Sequence, residues 1–180
     1  MDDLTSVRYS RVAIWLHWII AALILVTIPL ILYGGSGETA LHDTATNSHK
    51  LIGLTILMLT IARIIWRLTH KPPALPATMT RWLRFIARTT HMLFYLLLLA
   101  MPLSGWWMTS AFPKRHPIEA GPFDLPFLPV PVNMASAGGA HEVHEIGGWL
   151  MITLIILHVA AALKHHFINR DGVLSRMSIR

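Results

Sequence analysis

The chain contains no cysteine, and this absence removes several classes of redox and metal site. Disulfides, zinc sites built on thiolates, cysteine-ligated iron–sulfur clusters and the C-x-x-C-H attachment of covalent c-type haem all require that side chain. Any redox cofactor must therefore be held non-covalently. Histidine, present eleven times, is the obvious candidate ligand.

Charge is also scarce. Asp, Glu, Lys and Arg make up 13% of the 180 residues, about half of what a soluble domain carries. Hydrophobic residues reach 54% and the mean hydropathy is +0.54. The net charge of +6 does not indicate nucleic-acid binding, because the basic residues flank apolar runs instead of forming a patch with interleaved aromatics. The composition predicts an integral membrane protein.

Four apolar runs follow one another, and they predict helices at about residues 12–33, 49–68, 85–108 and 145–167. Each run can cross a hydrocarbon core of about 30 Å. The first is too long for a cleavable signal peptide and lacks a small-residue cleavage site. Residues 34–48 and 109–140 are predicted to be loops, the second rich in Pro and Gly. The expected fold is one all-α domain, residues 1–180, with four transmembrane helices in a bundle.

The basic residues predict the orientation of this bundle, because cytoplasmic segments carry an excess of Lys and Arg. One side holds only Lys50, Lys114 and Arg115. The other side holds Arg8, Arg11, Arg63, Arg67, Lys71, Arg81, Arg84, Arg88, Lys164, Arg170, Arg176 and Arg180. Both termini are therefore expected in the cytoplasm.

The histidines form a pattern across the helices. His144 and His158 are 14 residues apart, close to four helical turns, so both rings leave nearly the same face, roughly 21 Å apart along the axis. His49 begins the second helix at the depth of His144, and His17 lies in the first helix at the depth of His158. Two pairs at two depths suit two haems that each have two histidine ligands, whereas any one histidine alone could equally be hydrogen-bonded between helices.

Three further residues belong to this pattern. Arg63 follows His49 by 14 residues and is a candidate partner for a haem propionate, although lipid phosphate would serve it nearly as well. His165, next to His166 and Lys164, could bind a propionate or a quinone head group, or could be a solvated cluster. His91 lies at a depth that also matches His158, so spacing alone leaves it open as the inner ligand in place of His17.

Four motifs resemble the bacterial di-haem cytochrome b561 family: SRVAIWLHW at Ser10–Trp18, SHKLIG at Ser48–Gly53, VHEIGGW at Val143–Trp149 and LHVAAALKHHF at Leu157–Phe167. The resemblance covers essentially the whole chain. It implies two non-covalent b haems in the bacterial inner membrane, the inner haem iron bound by His17 and His158 and the outer one by His49 and His144. By this resemblance, and not by spacing, His17 is preferred to His91.

The resemblance also implies an activity. Members of this family pass electrons between the periplasmic side and the quinone pool, and some are similar to superoxide:ubiquinone oxidoreductases. Superoxide is a small anion, which Lys50, Lys114 and Arg115 could steer toward the outer haem, although the last two could equally be solvated loop charges. Ubiquinone would then be reduced near the inner haem, with Lys71, Arg84, Arg88 and His165 as candidate neighbours. No catalytic residue is assigned.

Alternative functions remain open at this point. The chain could be a haem-b relay subunit that passes electrons for a separate periplasmic dehydrogenase or hydrogenase, with residues 109–140 as a docking surface. A di-iron membrane oxygenase is disfavoured, because the H-x-x-H at His141–His144 and the pair His165–His166 are predicted on opposite sides of the membrane. A histidine-lined metal transporter is disfavoured, because paired carboxylates along a pore are absent.

Overall fold

The computed structural model describes residues 8–34, 40–75 and 79–179, and most of them are helical. The four main helices are α1 (Arg11–Gly34), α2 (Ala40–Thr69), α3 (Arg81–Ala111) and α4 (Met134–Lys164). In these ranges, four helices are long and apolar enough to cross a membrane. Many of their large apolar side chains lie exposed on the outside of the bundle, as expected of surfaces that meet lipid. The predicted all-α bundle of four membrane-spanning helices is confirmed.

Consecutive helices pack against one another, α1 on α2, α2 on α3 and α3 on α4. At mid-depth they share a core cluster to which each helix contributes one buried residue: Ile20, Ile56, Leu98 and Met151. The start of α1, the end of α2, the start of α3 and the end of α4 lie together at one end, called here the terminal end. The opposite end is called the hairpin end.

Side-chain caps mark where α3 and α4 begin. The hydroxyl of Thr80 accepts a hydrogen bond from the backbone N–H of Leu83 at 3.3 Å. The amide oxygen of Asn133 accepts one from the N–H of Ser136 at 2.7 Å. These bonds satisfy N–H groups that the helix itself leaves without a partner. Pro102 lies inside α3, where neighbouring helices allow a proline to be accommodated in a membrane span.

Helices α2 and α4 begin well before the predicted starts at residues 49 and 145. The chain is already helical at Ala40 and at Met134. Hydropathy marks only the part of a helix that lies in the apolar layer, so a polar extension such as that before His49 carries no signal. The prediction that residues 40–48 and 134–140 belong to loops was wrong.

The rest of the segment 109–140 is also ordered. It contains an antiparallel hairpin, β1 (Ile118–Ala120) with β2 (Phe123–Leu125), whose turn uses Gly121 at φ +67°. The side-chain amide of Asn47 on α2 donates to the carbonyl of Glu119 at 2.9 Å and accepts from its N–H at 3.0 Å. Ile118 is only 2% exposed. Residues 112–133 therefore form a cap tied onto the hairpin end, in place of the predicted loop.

The chain closes with a tail that returns to the start of α1. After α4 comes a π-helical turn, His165–Asn169, and then a 3₁₀ turn, Ser175–Met177. The indole N–H of Trp18 donates to the carbonyl of Met177 at 2.8 Å. The guanidinium of Arg176 donates to the carbonyl of Ala74 at 2.7 Å. Both ends of the described chain thus lie at the terminal end of the bundle.

Candidate functional site

At the hairpin end, two of the predicted ligands face each other across the bundle. His49 on α2 and His144 on α4 have ring centroids 6.0 Å apart and ring planes at 78°. Because a metal ion lies about 2 Å from an imidazole nitrogen that binds it, two rings on opposite sides of one ion have centroids about 6 Å apart. The separation of His49 and His144 therefore suits one metal atom held between them.

Hydrogen bonds set the orientation of the His49 ring. Its Nδ1 lies 3.1 Å from the carbonyl oxygen of Thr27 and 2.9 Å from the hydroxyl of the same residue. A carbonyl can only accept, so the ring donates its Nδ1–H there and keeps the lone pair on Nε2. This is the arrangement in which a histidine binds metal through Nε2, with the other nitrogen held by a backbone acceptor.

The His144 ring is oriented in the same way by α3. Its Nδ1 donates to the carbonyl of Met101 at 2.9 Å, and the hydroxyl of Ser104 lies 3.1 Å away. Gly105 makes this approach feasible, because a Cβ there would lie only 3.1 Å from Cε1 of His144. The sequence interpretation missed Thr27, Met101, Ser104 and Gly105, since they are far from both histidines in the chain.

Open space lies beside the pair on the side of α2. Gly53 lies one helical turn beyond His49, and a Cβ built there would meet no atom within 4 Å. Residues one turn apart share a helix face, so open space adjoins the His49 ring on the side where its neighbour has no side chain. The donor set and this space both fit a haem ligated by two histidines.

At the terminal end, three rings come together instead of two. The centroid of the His158 ring on α4 is 6.3 Å from that of His17 on α1 and 6.2 Å from that of His91 on α3. Phe94 packs edge-on against the same ring at 5.3 Å. Either distance suits a metal atom shared with His158. The geometry therefore leaves His17 and His91 as alternative partners of His158, as their spacing in the sequence did.

Arg63 faces this three-ring cluster. It is half-buried, and its Nε donates to the hydroxyl of Tyr95 at 3.2 Å. It is close enough to act electrostatically on all three rings. A cation in this position is suited to pair with an anionic substituent of a cofactor, because no carboxylate partner for Arg63 occurs among residues 8–34, 40–75 and 79–179.

The two histidine levels are separated by apolar side chains. The core cluster Ile20, Ile56, Leu98 and Met151 lies between them, with Leu59 and Ile155 packed against it. Along α4 the levels are roughly 21 Å apart. The bundle thus has one histidine-bearing level near each end and an apolar layer between them.

The predicted steering cations have different environments. Lys50 is half-buried directly after His49, and Lys114 is exposed on the cap. Arg115 instead has structural contacts: it donates to the carbonyl of Ser110 at 3.1 Å, and its guanidinium lies 4.3 Å from the ring centroid of Phe127. Arg115 therefore helps to hold the cap.

His165 also has a defined partner. Its Nδ1 lies 2.5 Å from the carboxylate of Asp171, with both side chains mostly buried, and the side-chain amide of Asn169 is 3.2 Å away. Burial alone would raise the pKa of Asp171, but the hydrogen bonds from His165 and from the N–H of Val173 outweigh it and leave that pKa below its ordinary value. The interpretation of the sequence missed Asp171, which lies outside every apolar run.

The remaining predicted residues at the terminal end are dispersed. Arg88 borders a cavity between α2 and α3, and Lys71 borders the cavity beside it. Arg84 has a buried Nε without a hydrogen-bond partner. In the described ranges, no three His, Asp or Glu side chains form a group that could hold a metal by themselves, and the pairs His141–His144 and His165–His166 lie at opposite ends of α4.

The paired histidines on a four-helix bundle can be compared with known families. The profile described as "Prokaryotic cytochrome b561" matches residues 8–178 of this chain. The chain belongs to this family. The family resemblance expected from the four motifs is confirmed.

Three curated relatives of this cytochrome are similar over nearly its whole length. "Cytochrome b561 homolog 2" of Escherichia coli (strain K12) is 32% identical over 96% of this chain and 92% of its own. "Probable superoxide oxidase CybB" of Yersinia pestis is 25% identical over 94% of this chain and 95% of its own. "Cytochrome b562" of Cereibacter sphaeroides is 26% identical over 94% of each chain.

Membership confirms the coarser predictions about function. The protein is a multi-pass membrane cytochrome that binds b-type haem and transfers electrons across the membrane. Its redox partners are of the kind that a membrane-embedded cytochrome b561 uses, such as quinone.

Proposed function

We propose that this cytochrome carries two b haems and passes electrons from superoxide, at the hairpin end, to ubiquinone, at the terminal end. The observation that supports this most directly is the pairing of histidine rings at two levels, each pair about 6 Å apart. One haem is held by His49 and His144 and the other by His17 and His158.

The proposed orientation places the hairpin end in the periplasm and both termini in the cytoplasm of the bacterial inner membrane. The cations predicted for the cytoplasmic side cluster near the terminal end, where Arg8, Arg67 and Lys71 border one cavity. Cytoplasmic ends of membrane helices carry such an excess.

A haem bound by two histidines would accept and release single electrons without binding oxygen. Residues of the protein orient the histidine ligands and pair with the charged groups of the cofactor. Backbone carbonyls of Thr27 and Met101 keep Nε2 of the two outer histidines free of a proton. Arg63 is proposed to pair with a propionate of the inner haem, and His165, through the ring nitrogen that Asp171 leaves free, with a propionate or a quinone oxygen.

The reaction balances with two superoxide anions for each quinone. Each superoxide loses one electron and becomes dioxygen. The quinone gains two electrons and two protons, so that both carbonyl groups become hydroxyl groups. Lys50 and Lys114 are the proposed attractors of the anion, because they carry positive charge close to the outer pair and on the cap, respectively. Arg115, held by Ser110 and Phe127, adds its charge to the same surface.

The experiment is an optical spectrum of the purified protein, oxidised and then reduced, with haem quantified per chain. We expect b-type bands of bis-histidine haem and two haems per chain; one haem or none would contradict the proposal. The variants His17→Ala and His91→Ala form a matched pair, since both rings border His158. His17→Ala should lose the inner haem and His91→Ala should keep both, and the opposite result would reassign the ligand.

The activity is tested on the same preparation. Superoxide generated enzymatically should reduce the haems in the absence of other donors, and added ubiquinone should reoxidise them. If the isolated protein does not oxidise superoxide but co-purifies with a periplasmic dehydrogenase that reduces its haems, it is a relay subunit and the proposed substrate is wrong.

A further inference from the structure

A buried hydroxyl on α2 has no hydrogen-bond partner. The Oγ1 atom of Thr46 neither donates to nor accepts from any group in residues 8–34, 40–75 and 79–179. Burying a hydroxyl without a partner is costly, because its bonds to water are lost and not replaced. A group of this kind in a folded protein therefore calls for an explanation.

The helix offers Thr46 a partner that it does not use. A threonine inside a helix can donate its hydroxyl hydrogen to the carbonyl four residues earlier. Three threonines that do so are Thr44, Thr55 and Thr153, with bonds of 2.8 to 2.9 Å. The Thr46 side chain makes no such bond, so its hydroxyl is available to a group outside the helix.

The cap does not supply the partner either. Asn47, the next residue, binds the backbone of Glu119 through both ends of its side-chain amide, so strand β1 lies close to this turn of α2. None of the described cap residues, 112–133, hydrogen-bonds to the Thr46 hydroxyl. The hydroxyl is therefore available to a bound molecule.

Thr46 borders the open space beside the outer histidine pair. Gly53, which adjoins this space, follows Thr46 by seven residues. Seven residues are close to two full turns, so Thr46 and Gly53 lie on one stripe of α2. Along the helix axis, Thr46 is about 4.5 Å nearer to the hairpin end than His49. The hydroxyl therefore lies at the end of the open space that is nearer to water.

Lys50 adds a positive charge at the same place. It follows Thr46 by four residues, so the two side chains are neighbours on the helix surface. Lys50 is half-buried, and no carboxylate of the described residues pairs with it. A hydroxyl that can donate and an ammonium group without an acidic partner are together suited to a carboxylate.

We propose that Thr46 and Lys50 bind a propionate group of the haem held by His49 and His144. This rests on the proposed function, in which that pair holds a haem. The Thr46 hydroxyl donates a hydrogen bond to the carboxylate, and Lys50 balances its charge. A propionate without a counter-charge would repel an anion such as superoxide, so the pairing with Lys50 also keeps the outer haem accessible to that electron donor.

The test compares threonine variants of the holoprotein. Thr46→Val removes the hydroxyl and keeps the branched shape of the side chain, and Thr46→Ser provides a hydroxyl again. Thr60→Val is the matched control, because the Thr60 hydroxyl is also buried without a partner among the described residues. Thr60 lies on the same stripe of α2, roughly 21 Å from Thr46 along the axis.

The first readout is the rate at which haem leaves the outer pair. Excess apomyoglobin captures the released haem, and the outer component is identified as the one that His49→Ala lacks. Thr46→Val should release this haem about tenfold faster or more, because a hydrogen bond to a charged group is lost. Thr46→Ser and Thr60→Val should release it at close to the wild-type rate.

The second readout reports on the carboxylate itself. Haem that is isotopically labelled at its propionate carboxyl carbons gives a shifted carboxylate band in redox-induced infrared difference spectra. The band of the outer haem should move in Thr46→Val and in Lys50→Gln, and it should stay in place in Thr60→Val. A role of Thr46 in packing alone would change the release rate without moving this band.

The outcomes separate the propionate site from the proposed function. If the wild type carries no haem at His49 and His144, the proposed function fails and the propionate site fails with it. If that haem is present but Thr46→Val leaves its release rate or its labelled band unchanged, Thr46 does not bind the carboxylate and only this site is refuted. An unchanged band in Lys50→Gln would refute the role of Lys50 as the counter-charge.

Discussion

Replacing Gly105 by alanine should selectively weaken the proposed outer haem site. A Cβ at this position would lie 3.1 Å from Cε1 and 3.3 Å from Nδ1 of His144. Ordinary carbon contacts are about 3.5–4.0 Å, so the ring must move by a few tenths of an ångström. It cannot do so freely, since its Nδ1 is bound to the carbonyl of Met101 at 2.9 Å.

The magnitude follows from overpacking. Inserting a methyl group into a filled site costs about 1–3 kcal/mol. When haem is absent, the ring can relieve the contact by turning away at the expense of its hydrogen bond to Met101. When haem is bound, the ring must occupy its ligating position, so most of this cost falls on haem binding. Since about 1.4 kcal/mol is a factor of ten, the outer haem should bind about five- to one-hundred-fold more weakly.

The assay is haem quantification after washing, combined with a potentiometric titration of each haem. Gly105→Ala should lose the component that belongs to the outer pair and keep the inner one. Gly139→Ala is the matched control, because it lies in the helix α4 and its new Cβ would meet nothing within 4 Å. Like any Gly→Ala change inside a helix, it should stabilise the fold by up to about 1 kcal/mol. If Gly105→Ala retains both haems with wild-type affinity, the close approach of α3 to His144 does not constrain the ligand.

Two further predictions concern hydrogen bonds to histidines. Thr27→Val removes the hydroxyl 2.9 Å from Nδ1 of His49 but keeps the carbonyl. The affinity for the proposed outer haem should fall about tenfold, the lower limit for loss of a group that hydrogen-bonds to a metal ligand. An unchanged affinity would show that the carbonyl alone is sufficient. Because the pKa of Asp171 is lowered in the folded protein, its ionised carboxylate stabilises the tail fully above the ordinary aspartate pKa of about 4. This stabilisation is lost as the pH falls through the lower folded-state pKa. Hydrogen exchange of residues 165–173 should therefore rise in that acid window, and Asp171→Asn should show fast exchange already at neutral pH; equal exchange in both proteins would contradict the contact with His165.

Local patterns in the sequence were enough to predict the four membrane spans. The predicted limits of the first helix, residues 12–33, differ by one residue at each end from Arg11–Gly34, because its apolar run coincides with the whole helix. The same reasoning failed at α2, where residues 40–48 are helical but polar. Hydropathy marks only the part of a helix that lies in the apolar layer. The part of α2 that projects beyond this layer is stabilised by other contacts, here the hydrogen bonds between Asn47 and the cap residue Glu119.

For the candidate site, the sequence could predict the depth of each histidine in the membrane but not which histidines pair across the bundle. The spacing of 14 residues puts His144 and His158 on one face of any straight helix, which is a property of the helical repeat. The partner across the bundle depends on how helices from distant parts of the chain pack. Packing brings His49 to His144, and it also brings both His17 and His91 to His158.

The sequence by itself determined a membrane protein with four spans and a set of candidate histidine ligands, because composition, run length and helical period are local properties of the chain. Only the tertiary structure decided which groups hold those ligands. The carbonyls of Thr27 and Met101, the bare backbone at Gly105 and the carboxylate of Asp171 carry no distinctive local pattern. Their contacts with the histidines form only after the helices have packed into the bundle.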